Sequence, residues 1–148
     1  MSDLLKLRAR DADDLQILSA CLQDAILPIS DMTFERGARR FVMVANRFCW
    51  ERADRTGEDA FDRVNCGVVF EGVNVVKLRR IDRSDRSLLL NLLAITAAPH
   101  SAGTAITLTC AGDRDIRLET DGIAAQLEDV DRPWPTRNRP THQLDDPA

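Results

Sequence analysis

Tyrosine is absent from this chain, histidine occurs twice, and aromatic residues make up only 5% of it. With so few rings, each is expected to serve packing. No apolar run is long enough to span a bilayer, so no membrane association is expected. The stretch MSDLLKLRARDADD lacks the basic and then apolar regions of a secretory signal, and a cytoplasmic protein is the expectation. Also missing are the dinucleotide pattern G-x-G-x-x-G, the phosphate-binding pattern G-x-x-x-x-G-K and the zinc-protease pattern H-E-x-x-H. His100 sits in a Pro/Gly turn and His142 in the last stretch, neither beside a Ser, Cys or carboxylate in a triad or metal pattern. Cys21, Cys49, Cys66 and Cys110 form no C-x-x-C pair, and each lies inside an apolar periodic segment. They read as reduced core thiols, not as a disulfide framework or metal site. The absences give no signature for a catalytic centre, and no metal and no cofactor are expected.

What is present suits one globular domain: 148 residues, 44% hydrophobic, 30% charged, with a net charge of -4. That balance argues against whole-surface attraction to nucleic acid or anionic lipid and leaves only a local basic patch for such a partner. The densest apolar stretch is FVMVANRFCWE, residues 41–51. Its β-branched and aromatic content predicts a long central strand. Phe41, Met43, Ala45 and Cys49 share one face, interrupted by Arg47, and Val42, Val44, Phe48 and Trp50 share the other, interrupted by Asn46.

Before it, Leu4 to Arg8 reads as an edge strand or a lead-in to a helix. Asp11 is a candidate N-cap, with Asp13 and Asp14 favourably placed in the first turn. The helix is expected to run to about Gln23, burying Leu15, Leu18, Leu22 and Ala25, with Ile17 and Cys21 widening the stripe. Pro28 ends it, Ile29 to Glu35 is extended, and Arg36 to Ala38 make a hairpin turn.

After it, Arg52 to Asp62 reads as a polar surface loop. Val64, Cys66, Val68 and Phe70 alternate inward, and Val73 and Val75 fall on the opposite parity beyond Gly72, which predicts a bulge or bend there. Leu88 to Ala98 leaves strand and helix open in its first half. Thr104 to Cys110 and the region of Ile116 and Leu118 read as meander strands around turns at Pro99–Gly103 and Ala111–Asp113. Asp121 and Gly122 open an expected C-terminal helix with Ile123, Leu127 and Val130 on one side.

The order LKLRARDADDLQILSACLQDAI, RRFVMVANRFCWE, LLNLLAI and PWPTRNRPTHQL resembles a bacterial family, chiefly alphaproteobacterial, known as domain of unknown function 2948. The resemblance covers nearly the whole chain. It implies a cytoplasmic single domain, encoded beside histidinol dehydrogenase, and it assigns no functional residue.

Four groups of residues are candidates for function. Lys77, Arg79, Arg80, Arg83 and Arg86 outnumber Asp82 and Asp85, so the Arg79–Arg86 turn is a candidate site for RNA or a phosphorylated small molecule. The plainer reading is a solvated turn whose own aspartates pair with its arginines. In the segment 132–148, Trp134 lies between prolines and Arg137 and Arg139 add cations, which suits docking to a partner or to the domain itself. Seven carboxylates against two arginines in the run Asp113–Asp131 oppose these basic stretches, a contrast suited to self-association or to pairing with another protein. Asn46 and Arg47 are candidate buried polar residues, although a bulge at Asn46 and a solvent-reaching Arg47 explain them more simply.

The resulting expectation is an α+β domain over 1–131: a curved, mainly antiparallel sheet of roughly six to eight strands. It forms a roll or partly open barrel, one form of which is pleckstrin-homology-like, with the N-terminal helix packed on it and a tail over 132–148. The expected function is that of a non-catalytic protein-interaction or scaffold module. The alternative is RNA or phosphorylated small-molecule binding at Arg79, Arg80, Arg83 and Arg86; as partners, a second copy of the chain or another protein is favoured over nucleic acid.

Overall fold

In the computed structural model, the described residues are 4–49, 61–130 and 134–136. Among them lie one α-helix, one 3-10 turn and eleven strands, more than the six to eight expected. Strand β1 (Lys6–Ala9) leads into helix α1 (Ala12–Cys21), whose first turn is closed by the Asp14 amide donating to Asp11 Oδ1 at 2.8 Å. Leu15, Leu18 and Leu22 are buried. Ile17 does not widen that stripe: it is 57% exposed, because α1 packs mainly against β1 and β7 (Leu89–His100) and turns its far side to solvent.

Strand β2 (Ile26–Pro28), the 3-10 turn Ile29–Asp31 and β3 (Met32–Glu35) follow, and a turn joins β3 to β4 (Arg40–Phe48) as an antiparallel hairpin. β4 is central. It lies between β5 (Phe61–Glu71) on one side and β2 with β3 on the other. Phe41, Met43, Ala45 and Arg47 are buried on its inner face, and Val42, Val44, Asn46 and Phe48 are half-buried on its outer face.

At Gly72, φ +69 lets the chain turn sharply from β5 into β6 (Val73–Arg79), a conformation unfavourable for any residue with a Cβ. A bulge between Val73 and Val75 follows, as the change of parity predicts. The bulge also resets the parity: Val75 faces solvent, and Val76 and Leu78 turn inward. β7, β8 (Gly103–Cys110) and β9 (Arg114–Thr120) form the meander, so the ambiguous run from Leu88 is a strand.

The expected C-terminal helix is instead strand β10 (Ala125–Asp129). Ala125, Leu127 and Asp129 alternate inward, and β10 hydrogen-bonds to β1 on one side and β5 on the other. Strand partners on both sides satisfy the backbone of β10 and Leu127 is fully buried, while Val130 ends 62% exposed. A short β11 (Trp134–Thr136) also pairs with β5.

The sheet therefore runs β1-β10-β5-β4-β2-β7-β8-β9-β6, an open and strongly curved antiparallel sheet. α1 is stitched across it by the Ile95 amide donating to Ser19 Oγ at 2.8 Å and by the Asp24 amide donating to the Leu92 carbonyl at 2.7 Å. One core fills the concave side, from Leu15 and Leu18 through Phe41, Val68 and Phe70 to Ile106 and Leu118. The residues from Arg52 to Ala60, Trp50, Arg137 and Arg139 lie outside the described residues.

Candidate functional site

The curvature brings two strand edges toward each other without joining them. Among the described residues, β3 is paired only to β4, and β6 only to β9. Between them is a window of about 800 Å³. Met32 and Phe34 of β3 and Val76 and Leu78 of β6 line its sides, and Phe41 lies at its floor. The four side chains of the sides stay half-exposed because no strand among the described residues covers the gap, and Phe41 is buried beneath them. The window is pinned at both ends. The Val73 amide donates to the Arg39 carbonyl at 2.9 Å at one end. At the other, the Ile29 amide donates to the Leu88 carbonyl at 3.0 Å, and Arg86 Nη2 donates to the Ser30 carbonyl at 3.3 Å.

Three guanidinium groups stand on this lining: Arg36, Arg83 and Arg86. Arg36 lies over the Phe34 ring, 5.2 Å from its centroid. Asp82 is the one carboxylate of the lining among the described residues. It is turned into the loop, where its Oδ1 accepts the Ser84 amide at 3.0 Å and the Ser84 hydroxyl at 2.6 Å. Those Ser84 bonds hold its carboxyl below the usual carboxylate range.

The basic turn of the sequence is thus divided in two. Arg79 donates to Asp115 at 2.7 Å and to Asp113 at 3.0 Å, and Arg80 reaches Asp113 at 3.3 Å. Asp113 and then Asp115 push the Arg79 guanidinium pKa further up, so both arginines are neutralised by the acidic run across the β6–β9 pair. Arg83 and Arg86 face the window. The turn's own Asp82 and Asp85 bond Ser84 and Ser87, not the arginines that the plainer reading assigned to them.

Asn46 and Arg47 belong to a separate, buried polar cluster at the far end of β4. The β4–β5 register is unbroken through Asn46, so no bulge exists there, and Arg47 is fully buried instead of reaching solvent. Arg47 makes a two-pronged pair with Asp129, Nε to Oδ1 at 3.0 Å and Nη2 to Oδ2 at 2.8 Å. Asp129 Oδ2 also accepts the Leu5 amide at 2.8 Å. On the opposite face Asn46 accepts from Arg63 Nε, and it donates to Asn65 Oδ1 at 3.1 Å. Arg63 lies over the Phe48 ring at 3.9 Å, and burial lowers its pKa against the raising influence of Cys49 and Asp24. Sequence reasoning missed Arg63 and Asp129, which only long-range strand pairing brings to this cluster.

The family described as Protein of unknown function (DUF2948) matches residues 5–142. The chain belongs to that family. No curated protein and no solved structure matches it. The matched span of this family member includes the window, both halves of the basic turn and the Arg47–Asp129 pair.

Of the expected docking residues, the backbone of Trp134 pairs with Arg63 in β5; Arg137 and Arg139 lie outside the described residues. His100 joins a surface group, with Arg117 Nη2 at 3.2 Å from its Nδ1 and Glu119 at 3.4 Å from its Nε2. Lys77, 3.2 Å away, and Arg117 hold the Glu119 carboxyl below its usual range. Cys49, Cys66 and Cys110 are buried thiols. Burial pushes Cys66 up to about 12 and Cys110 up to about 11, so neither is a thiolate nucleophile at neutral pH. Among the described residues no group of His, Cys, Asp or Glu is placed to hold a metal, and no helix is long and apolar enough to cross a membrane.

Proposed function

We propose that this chain is a non-catalytic binding module whose working site is the window between β3 and β6. One observation carries the reading: two unpaired strand edges flank inward-facing apolar side chains that the fold leaves uncovered but holds apart at both ends. A sheet normally closes or covers such an edge, and a concave apolar site with a few polar groups is the usual form of a ligand site. Its volume of about 800 Å³ is within the range of small-molecule sites, roughly 300–1,000 Å³.

The docking and scaffold reading, through Trp134, Arg137 and Arg139 or by self-association, ranks second because the side chains it needs lie outside the described residues. RNA ranks lower, since Arg79 and Arg80 are already neutralised by Asp113 and Asp115. We also propose a cytoplasmic location and a pleckstrin-homology-like roll. The bent sheet supports that roll, and the strand found in place of the expected C-terminal helix weighs against it.

Nile red, a neutral lipophilic dye, tests the site. The full chain is expected to bind it saturably, one per chain, with enhanced fluorescence. Leu78→Trp, or Val76→Trp should the first not fold, is expected to abolish binding while the urea midpoint is retained. No saturable binding, or binding unchanged in a folded window-filling variant, contradicts the proposal.

A further inference from the structure

We infer that the window's ligand is a freely dissolved amphipathic anion, with an apolar body between β3 and β6 and a phosphate or carboxylate held by Arg36, Arg83 and Arg86. The inference rests on the reading of the window as a binding site and adds the chemistry of its occupant.

Charge complementarity carries it. Arg36 and Arg83 have no carboxylate partner among the described residues, and Arg86 gives one contact to the Ser30 carbonyl and keeps its remaining donors. Several other arginines of the curved sheet are engaged, although Arg8 and Arg114 have no carboxylate partner among the described residues either. Arg79 and Arg80 are held by Asp113 and Asp115, Arg39 by Asp121, Arg40 by Glu35 and Glu71, and Arg47 by Asp129. Three guanidinium groups around one opening, faced by a single carboxylate that is bonded to its own turn, offer donors to an added anion.

The apolar floor sets the other half of the ligand. A bare phosphate would satisfy the arginines and leave Phe34, Val76 and Leu78 facing water; a purely apolar molecule would cover those and leave the arginines without a counter-charge. The pinned ends limit length. β3 offers four residues of edge, about 13 Å of strand, so a long added strand would have to leave the window again after a few residues. That geometry favours a small molecule over a protein segment.

The test measures displacement of Nile red from the full chain by octyl phosphate, octanoate, octanol and octylammonium. Octyl phosphate and octanoate are expected to bind about tenfold more tightly than octanol, because a hydrogen bond to a charged group contributes about 1.5–3 kcal/mol and 1.4 kcal/mol is tenfold. Octylammonium should bind more weakly than octanol. The substitution Arg83→Glu, at an exposed position that leaves the Arg86–Ser30 contact in place, should lower the preference for the anions over octanol. Equal binding of octanol and octyl phosphate overturns the anion while the window stands as a binding site. Failure of Nile red and every octyl compound overturns both. Cosedimentation with phosphatidylglycerol vesicles without competition by octyl phosphate would move the anion to a membrane surface, and tighter displacement by an acetylated acidic pentapeptide would replace the small molecule by an added strand. Either outcome overturns the inference.

Discussion

Asp129 carries three bonds in a place that water does not reach: two to Arg47 and one from the Leu5 amide. Two charges withdrawn from water are tolerable only as a pair, and removing one leaves the other buried without compensation. Asp129→Ala is therefore expected to destabilise the fold by about 3–5 kcal/mol in urea denaturation. Replacing the pair together, Arg47→Met with Asp129→Leu, should recover most of that loss; a double variant as unstable as the single one would contradict the account. Arg47 was visible in the sequence as a charge inside an apolar strand. Its partner was not, because 82 residues separate the two and only the pairing of β10 with β5 brings them together. The same limit applies to the basic turn, where the sequence supplies the arginines but not the fact that Asp113 and Asp115 claim two of them.

Elements whose pattern is local were the readable ones. The cap at Asp11, the hairpin of β3 and β4 and the bend at Gly72 each follow from a few adjacent residues. β10 was misread because Ile123, Leu127 and Val130 fit a helical stripe as well as Ala125, Leu127 and Asp129 fit a strand, and partners on both sides decide it. A close approach that no pattern reveals occurs at Gly103, where a Cβ would collide with the backbone carbonyl of Thr120. Gly103→Ala must push β9 away from the β7–β8 hairpin. It is expected to destabilise by about 1–3 kcal/mol, the usual range for overpacking, with loss of amide protection at Thr104 and Thr120. An unchanged denaturation midpoint would count against that packing.

For the molecule as a whole, pH acts from two sides. Glu119 and Asp121 have folded pKa values lowered, Glu119 by Lys77 first and Asp121 by Asn74 and then Arg39. Their stabilisation is fully present above the unfolded carboxylate range, about 4. It is lost as pH falls through the lower folded values, so the urea midpoint should drop as the pH is taken below about 4. Cys66 and Cys110 are shifted the other way, to about 12 and about 11 from 9.0. They hold their protons more tightly when folded, so that contribution is complete below pH 9 and declines as pH rises toward those values. A midpoint flat from acid to alkali would contradict both.

The curved sheet also explains why the window escaped the sequence: β3 and β6 are far apart in the chain, and an opening is a property of where strands fail to meet. Amide NMR of the full chain titrated with octyl phosphate tests it most directly. The account predicts saturable shifts concentrated in Met32–Arg36 and Val76–Arg86. Shifts centred on β1 and β10, or none at all, would contradict it.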